Sequence, residues 1–232
     1  QKIYVGKAAS QHAMKQDDIN ETLVRLGTTH NCVVRLKGGD PYVFGRGGEE
    51  GEALYGAGIP FEVVPGITSA IGGIGYAGIP VTHRDHAASF HVITGHLKDD
   101  SSGGIDFEPI AAYEGTLVFL MGLGALNTIA CELMRYGKAP STKVALISWA
   151  SHNHQRKHIG ELSNIGKMQA ADPLPSPSII VVGDVVGMHD QLDWFSTKPL
   201  FGKQFAVTRA RKQASTLDRK STRLNSSHGI IS

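Results

Sequence analysis

The chain has 232 residues, 41% of them hydrophobic, enough to bury one substantial core or two modest ones. Its 23 basic and 21 acidic residues leave a formal net charge of +2, scattered until the extreme C-terminus, so nucleic acid is not indicated as a partner. No stretch reaches the roughly 20 consecutive apolar residues of a membrane span, and two cysteines are too few for a disulfide framework, which makes a reducing cytoplasm the expected setting.

The chain opens on Gln1-Lys2-Ile3-Tyr4-Val5, without an initiating Met or the features of a secretory signal, and reads as a chain entered partway through. Residues 3–5 form the first expected strand. Asp17 or Asp18 then caps a helix carrying Ile19, Leu23 and Leu26, with Gly27 where a left-handed C-terminal residue belongs. A strand at 32–36, a helix at 49–57 stopping at Gly58, and strands at 61–64 and 90–94 follow. A polar stretch, Lys98-Asp-Asp-Ser-Ser-Gly-Gly104, marks a domain boundary and leads through one short helical segment to a strand at 116–121. Next come a helix at 125–136 closed by Gly137, a strand at 143–148 and, after a proline-rich turn, a strand at 178–182. This alternation implies an α/β fold with a largely parallel sheet, whose ligands bind outside the carboxyl ends of the strands.

Glycine, at 28 residues, clusters in short loops between apolar runs, where backbone must approach a ligand or adopt a positive φ. The most informative stretch is Val33–Glu50, VVRLKGGDPYVFGRGGEE: a strand end, two glycines, an Asp-Pro, and Gly47-Gly48 opening a helix with acidic residues in its first turn. That is a nucleotide-like loop. It lacks the register of a GxGxxG or P-loop, which disfavours dinucleotide and triphosphate binding, and an ordinary tight turn is the plain alternative.

The same stretch closely resembles the uroporphyrinogen-III C-methyltransferase family. The resemblance continues through Tyr4-Val5-Gly6-Lys7, Val64-Pro-Gly-Ile-Thr-Ser69, Tyr76-Ala-Gly-Ile-Pro-Val-Thr-His-Arg84, Thr94-Gly-His96, Met121-Gly122 and Val181-Val-Gly-Asp184. It covers roughly residues 1–195, in order. It implies the tetrapyrrole-methylase fold, two α/β domains with the active site in the cleft between them, and a homodimer. Gly38, Gly39, Asp40, Val43, Thr68, Ser69, Met121 and Ala150 would hold S-adenosylmethionine as methyl donor, although the family often has glycine at the position of Ala150. Lys7 matches the family's proton donor. The family's aspartate base belongs to a Gly-rich GxGPGD loop that is missing here, so the chain is expected to bind its cofactor and to be weakened as a catalyst.

The implied reaction is C-methylation of uroporphyrinogen III to precorrin-2 by way of precorrin-1, on the route to sirohaem or cobalamin. The substrate carries eight carboxylates, and a site for it needs cationic donors, for which Arg46, His83 and Arg84 are the candidates beside Lys7. Domain boundaries follow at 1–113 and 114–197 for the two methylase subdomains. Residues 198–217 resemble the opening of a uroporphyrinogen-III synthase, implying a fusion of consecutive activities, and 218–232 resemble a translated sequencing adapter. The competing readings are a methylase of the same fold acting on a later corrinoid or on diphthine precursors, and a non-enzymatic binding module. The clustered histidines show no HExxH spacing and no GxSxG elbow occurs, so neither a metal centre nor a serine hydrolase is expected.

Overall fold

Apolar runs too short for helices and buried on both sides form the centre of the structure, a computed structural model that describes residues 2–6, 14–95 and 104–204. The chain divides into two compact units, Gln1–Thr68 and Ser69–Ser232.

In the second unit five strands form one sheet: β1 (Phe90–Thr94), β2 (Thr116–Leu120), β3 (Lys143–Ser148), β4 (Arg156–Glu161) and β5 (Ser178–Val182), in the order β1-β2-β5-β3-β4. β1 and β2 are parallel, whereas β5 runs antiparallel to both β2 and β3 and β4 antiparallel to β3. The sheet is therefore mixed, not largely parallel: β1, β2 and β3 point one way, and β4 and β5 return. Successive side chains face opposite sides. Leu117, Phe119, Val144, Leu146, Ile180 and Val182 pack with Phe107, Leu126, Ile129, Leu133 and Ile165 from three helices, α4 (Phe107–Ala112), α5 (Leu126–Arg135) and α6 (Ile165–Ala171). Val118, Leu120, Ala145, Ile147, Ile179 and Val181 face the other way, onto Ala70, Ala77, Ile79, Val185 and Val186 and onto Ile74 of the short helix α3 (Gly72–Tyr76). The result is a three-layer sandwich. β1 and β2, on either side of residue 113, share a ladder in this sheet.

The first unit contains α1 (Gln16–Thr29) and α2 (Gly47–Gly56). Gly27 does not end α1, which continues to Thr29; a Cβ at Gly27 would stand 3.0 Å from Ile59 Cγ2, so its bareness lets Ile59 approach the helix. Gly51 of α2 receives the Phe61 ring in the same way, at 3.1 Å. The strands expected at 3–5, 32–36 and 61–64 have no ladder among the described residues. Extended backbone becomes a strand only when a neighbour accepts its hydrogen bonds, and here Val34 and Leu36 are 81% and 85% exposed. The synthase-like segment from residue 205 onward and the tail at 218–232 lie outside the described residues.

Candidate cofactor site

Asp40 organises the first unit's loop. Its Oδ1 accepts from Tyr42 N at 2.8 Å and its Oδ2 from Gly66 N at 3.0 Å, tying the Gly38-Gly39-Asp40 turn to the Val64-Pro-Gly-Ile-Thr68 segment. Its carboxylate is thus occupied by backbone, and any role toward a ligand passes through the shape of the loop. A Cβ at Gly66 would collide with the carbonyl oxygen of Gly39, so the two segments meet at a distance only glycine permits. Gly38 has nothing within 4 Å of the space a Cβ would take. Beyond Asp40, Gly47 N donates to Pro41 O at 2.9 Å, and Phe44 and Arg46 adopt positive φ of 54° and 58°. Non-glycine residues in that region cost about 1–3 kcal/mol each and gather where a loop must hold an imposed shape. Val43 and Thr68 are half-buried here, and the Arg46 side chain is exposed.

A buried carboxylate anchors this loop from behind. Glu50, 5% exposed in the first turn of α2, receives Lys37 Nζ at 2.8 Å and Arg35 Nη2 at 3.2 Å on the same oxygen. Because Lys37 immediately precedes Gly38, this contact fixes where the glycine turn begins. Sequence reading assigned Glu50 only to the helix end; the signal was Arg35 and Lys37 two residues apart, hence on one side of an extended segment.

The second unit concentrates strained backbone at the carboxyl ends of β2 and β3. Met121, directly after β2, has a φ of 57° and is 57% exposed, and Trp149 and Ser151, on either side of Ala150 after β3, have φ of 50° and 69°. Leu120 and Ile147 both pair with Ile179 of the intervening strand, so these two strand ends are level. A Cβ at Gly73 of α3 would lie 3.1 Å from Ala150 Cβ and 3.6 Å from Ser69 Cβ, so Ser69 and Ala150 gather around one bare position. His83 accepts from Asp85 N at 3.2 Å and stands 5.0 Å, centroid to centroid, from His86, and Arg84 beside them is exposed. Lys7 and His96 lie outside the described residues.

Other polar groups of this unit bond within the protein. Burial opposes the charge of Asp193, but hydrogen bonds from Lys157 and Ser196 outweigh it and hold the carboxyl below the usual range. The hydrogen bond from Arg156 lowers the exposed Asp172 similarly. Gln155, buried and absent from the residues singled out by sequence, bonds Ser151 N and Tyr76 O. Among the described residues no group of three or more His, Cys, Asp or Glu could hold a metal ion, and no helix is long and apolar enough to cross a membrane.

The second unit is thus a mixed α/β sandwich with left-handed backbone at the carboxyl ends of β2 and β3. Residues 2–166 match the Tetrapyrrole (Corrin/Porphyrin) Methylases, and the chain belongs to that family. It is 48% identical over 195 residues to a siroheme synthase of Pseudomonas entomophila (strain L48), a match covering 84% of this chain and 42% of that protein. The chain thus spans about two fifths of the length of the curated relatives it matches. Among solved structures, the uroporphyrin-III C-methyl transferase of Thermus thermophilus, complexed with S-adenyl homocysteine, is 39% identical with a TM-score of 0.67, over 81% of this chain and 78% of that one. A cobalt precorrin-4 methyltransferase, 17% identical with a TM-score of 0.67 over 77% of this chain and 74% of its own, shares the fold.

Proposed function

We propose that this chain is the methylating portion of a longer protein and transfers methyl groups from S-adenosylmethionine to uroporphyrinogen III, giving precorrin-2 by way of precorrin-1 for sirohaem or cobalamin synthesis. The observation that carries this reading is the left-handed backbone at the carboxyl ends of β2 and β3, at the positions family resemblance assigns to the cofactor. The likeness to the Thermus protein, solved with the demethylated donor, supports it.

The residues present suit a zwitterionic, hydroxyl-rich nucleoside. Gly38 leaves open approach to backbone, and exposed Met121 offers a polarizable thioether and its own main chain. When bound, S-adenosylmethionine supplies an electrophilic methyl group on a sulfonium. The enzyme's contribution is then alignment: loops of imposed shape hold donor and acceptor carbons in line, where well-oriented reactants gain on the order of 7–11 kcal/mol over free encounter. Gly38, Gly39, Val43, Thr68, Ser69, Met121 and Ala150 hold the donor, and Asp40 holds the loop that carries the first three. Arg46 and Arg84 present positive charge to the substrate's carboxylates, His83 offers a ring N–H to them, and Lys7 donates a proton. In this reading the protein is a cytoplasmic homodimer, and its two exposed cysteines stay free thiols.

Calorimetric titration with S-adenosylhomocysteine tests the cofactor half of the proposal. Micromolar binding that is lost in Asp40→Ala is the expected result, and no binding by the unaltered chain overturns it. Anaerobic methylation of uroporphyrinogen III, followed by the appearance of precorrin-2, tests the substrate half.

A further inference from the structure

Gln155 is 6% exposed and spends both ends of its amide on backbone. Its Oε1 accepts from Ser151 N at 2.8 Å and its Nε2 donates to Tyr76 O at 3.0 Å. The assignment of the two ends is dictated by the partners, since an N–H needs an acceptor and a carbonyl needs a donor. The uncharged amide serves both at any pH. An ionised Glu has no donor for Tyr76 O, Leu has neither function, and Asn is one methylene short.

The two backbone atoms belong to the two segments that gather around Gly73. Ser151, with φ 69°, ends the strained Trp149–Ala150–Ser151 turn, whose other side is held by Trp149 N donating to Pro177 O at 3.0 Å. Tyr76 is the last residue of α3, the helix that carries Gly73 and whose first turn is tied to Ser69 by Gly73 N donating to Ser69 O at 3.0 Å. The neighbouring carbonyls at this helix end are taken by Trp194 Nε1, on Gly75 O at 3.1 Å, and Lys157 Nζ, on Ala77 O at 3.3 Å. Gln155 alone among these three also reaches the turn that bears Ala150.

We propose that Gln155 is a positioning residue for methyl-donor binding, clamping the Ala150 turn against α3 so that Ala150 and Ser69 keep the spacing a nucleoside requires. This rests on the cofactor reading above. The strained turn persists only while its surroundings over-determine it. Without the clamp Ser151 N loses the acceptor that Gln155 supplies and the turn is no longer tied to Tyr76 O, so the turn relaxes, and the relaxed turn binds the donor poorly.

The test uses the 232-residue chain with Gln155→Leu and Gln155→Glu, each titrated calorimetrically with S-adenosylhomocysteine between about pH 5 and pH 8, alongside thermal melting. Gln155→Leu weakens binding about tenfold or more at every pH, the loss expected when both hydrogen bonds of the amide are removed. Gln155→Glu is equally weak at the upper end, where a carboxylate faces Tyr76 O. Its affinity relative to the unaltered chain recovers as the pH falls, because the protonated acid again donates to Tyr76 O while accepting from Ser151 N. The ionisable groups around it are Lys157 on β4, Asp193 paired with Lys157, and His152 and His154 on its own loop. Comparison with Gln155→Leu at each pH removes their contribution. A merely structural role moves the melting temperature without this pH-dependent ratio. Unchanged affinity in Gln155→Leu, or a flat ratio for a folded Gln155→Glu, overturns the clamp alone. Absence of binding by the unaltered chain brings down the cofactor reading and the clamp with it. If Gln155→Leu does not fold, the pH profile of Gln155→Glu decides.

Discussion

From Ser69 onward the chain buries nearly every side chain of β2, β3 and β5 between two layers of helix and turn, whereas up to Thr68 it buries few apolar residues and fastens extended segments with two carboxylates. Ile19 and Leu23 are the buried large hydrophobic residues of the first unit among those described, and Asp40 and Glu50 carry its long-range polar contacts. A dry sandwich spreads its stability over many side chains, so a single truncation lowers it without changing its form. A polar anchor concentrates structure in one group, so its loss changes the shape of a loop at modest cost in total stability.

Four substitutions sharpen that contrast. Leu133→Ala, in the fully buried face of α5, is expected to destabilise the second unit by about 2–5 kcal/mol in denaturant unfolding, with no change in the slope of the transition. Glu50→Leu leaves Lys37 and Arg35 without their shared partner and costs about 1–3 kcal/mol locally. Hydrogen exchange should quicken in α2 and the glycine turn while β2, β3 and β5 keep their protection; equal loss in both units would erase the distinction. Gly66→Ala sets a methyl against the carbonyl oxygen of Gly39, backbone that cannot swing aside, at about 1–3 kcal/mol. Gly73→Ala meets the Cδ1 end of Ile179 and should cost less, a ranking that paired melting curves check.

The smallest effect is Asp193→Asn. Because folding lowers the Asp193 carboxyl below its ordinary value, its contribution is fully present above about pH 4 and disappears as the pH falls through the lowered value. The variant should therefore melt below the unaltered chain at neutral pH, by about 0.5–1.5 kcal/mol, and the gap should close in acid. A gap that persists unchanged at low pH would show that packing, and not the Lys157 pair, accounts for it.

Three strands of the sandwich were readable to the residue because continuous runs such as Lys143–Ser148 and Ser178–Val182 leave few alternatives once turns bound them. β4 was not readable: Arg156-Lys-His-Ile-Gly-Glu161 is an edge strand in which polar side chains are tolerated, so no period of 2 appears. The direction of β5 was also hidden, since an apolar run looks the same in parallel and antiparallel ladders. Among the candidate site residues, Gly38, Asp40 and Met121 stood out through the motifs around them. Glu50 and Gln155 did not, because a carboxylate and an amide announce no partner until the backbone brings one within about 3 Å.

The sequence by itself determined the family, α1, α2, α4 and α5, most of the sheet and the loops that carry the candidate chemistry, since these depend on residue type at short spacing. Tertiary structure alone decided the mixed sheet, the extended segments before Thr68 that have no ladder among the described residues, and the meeting of Ser69 with Ala150 around Gly73. Those depend on which distant backbone atoms come within hydrogen-bonding or van der Waals reach, and that is settled by the packing of whole layers.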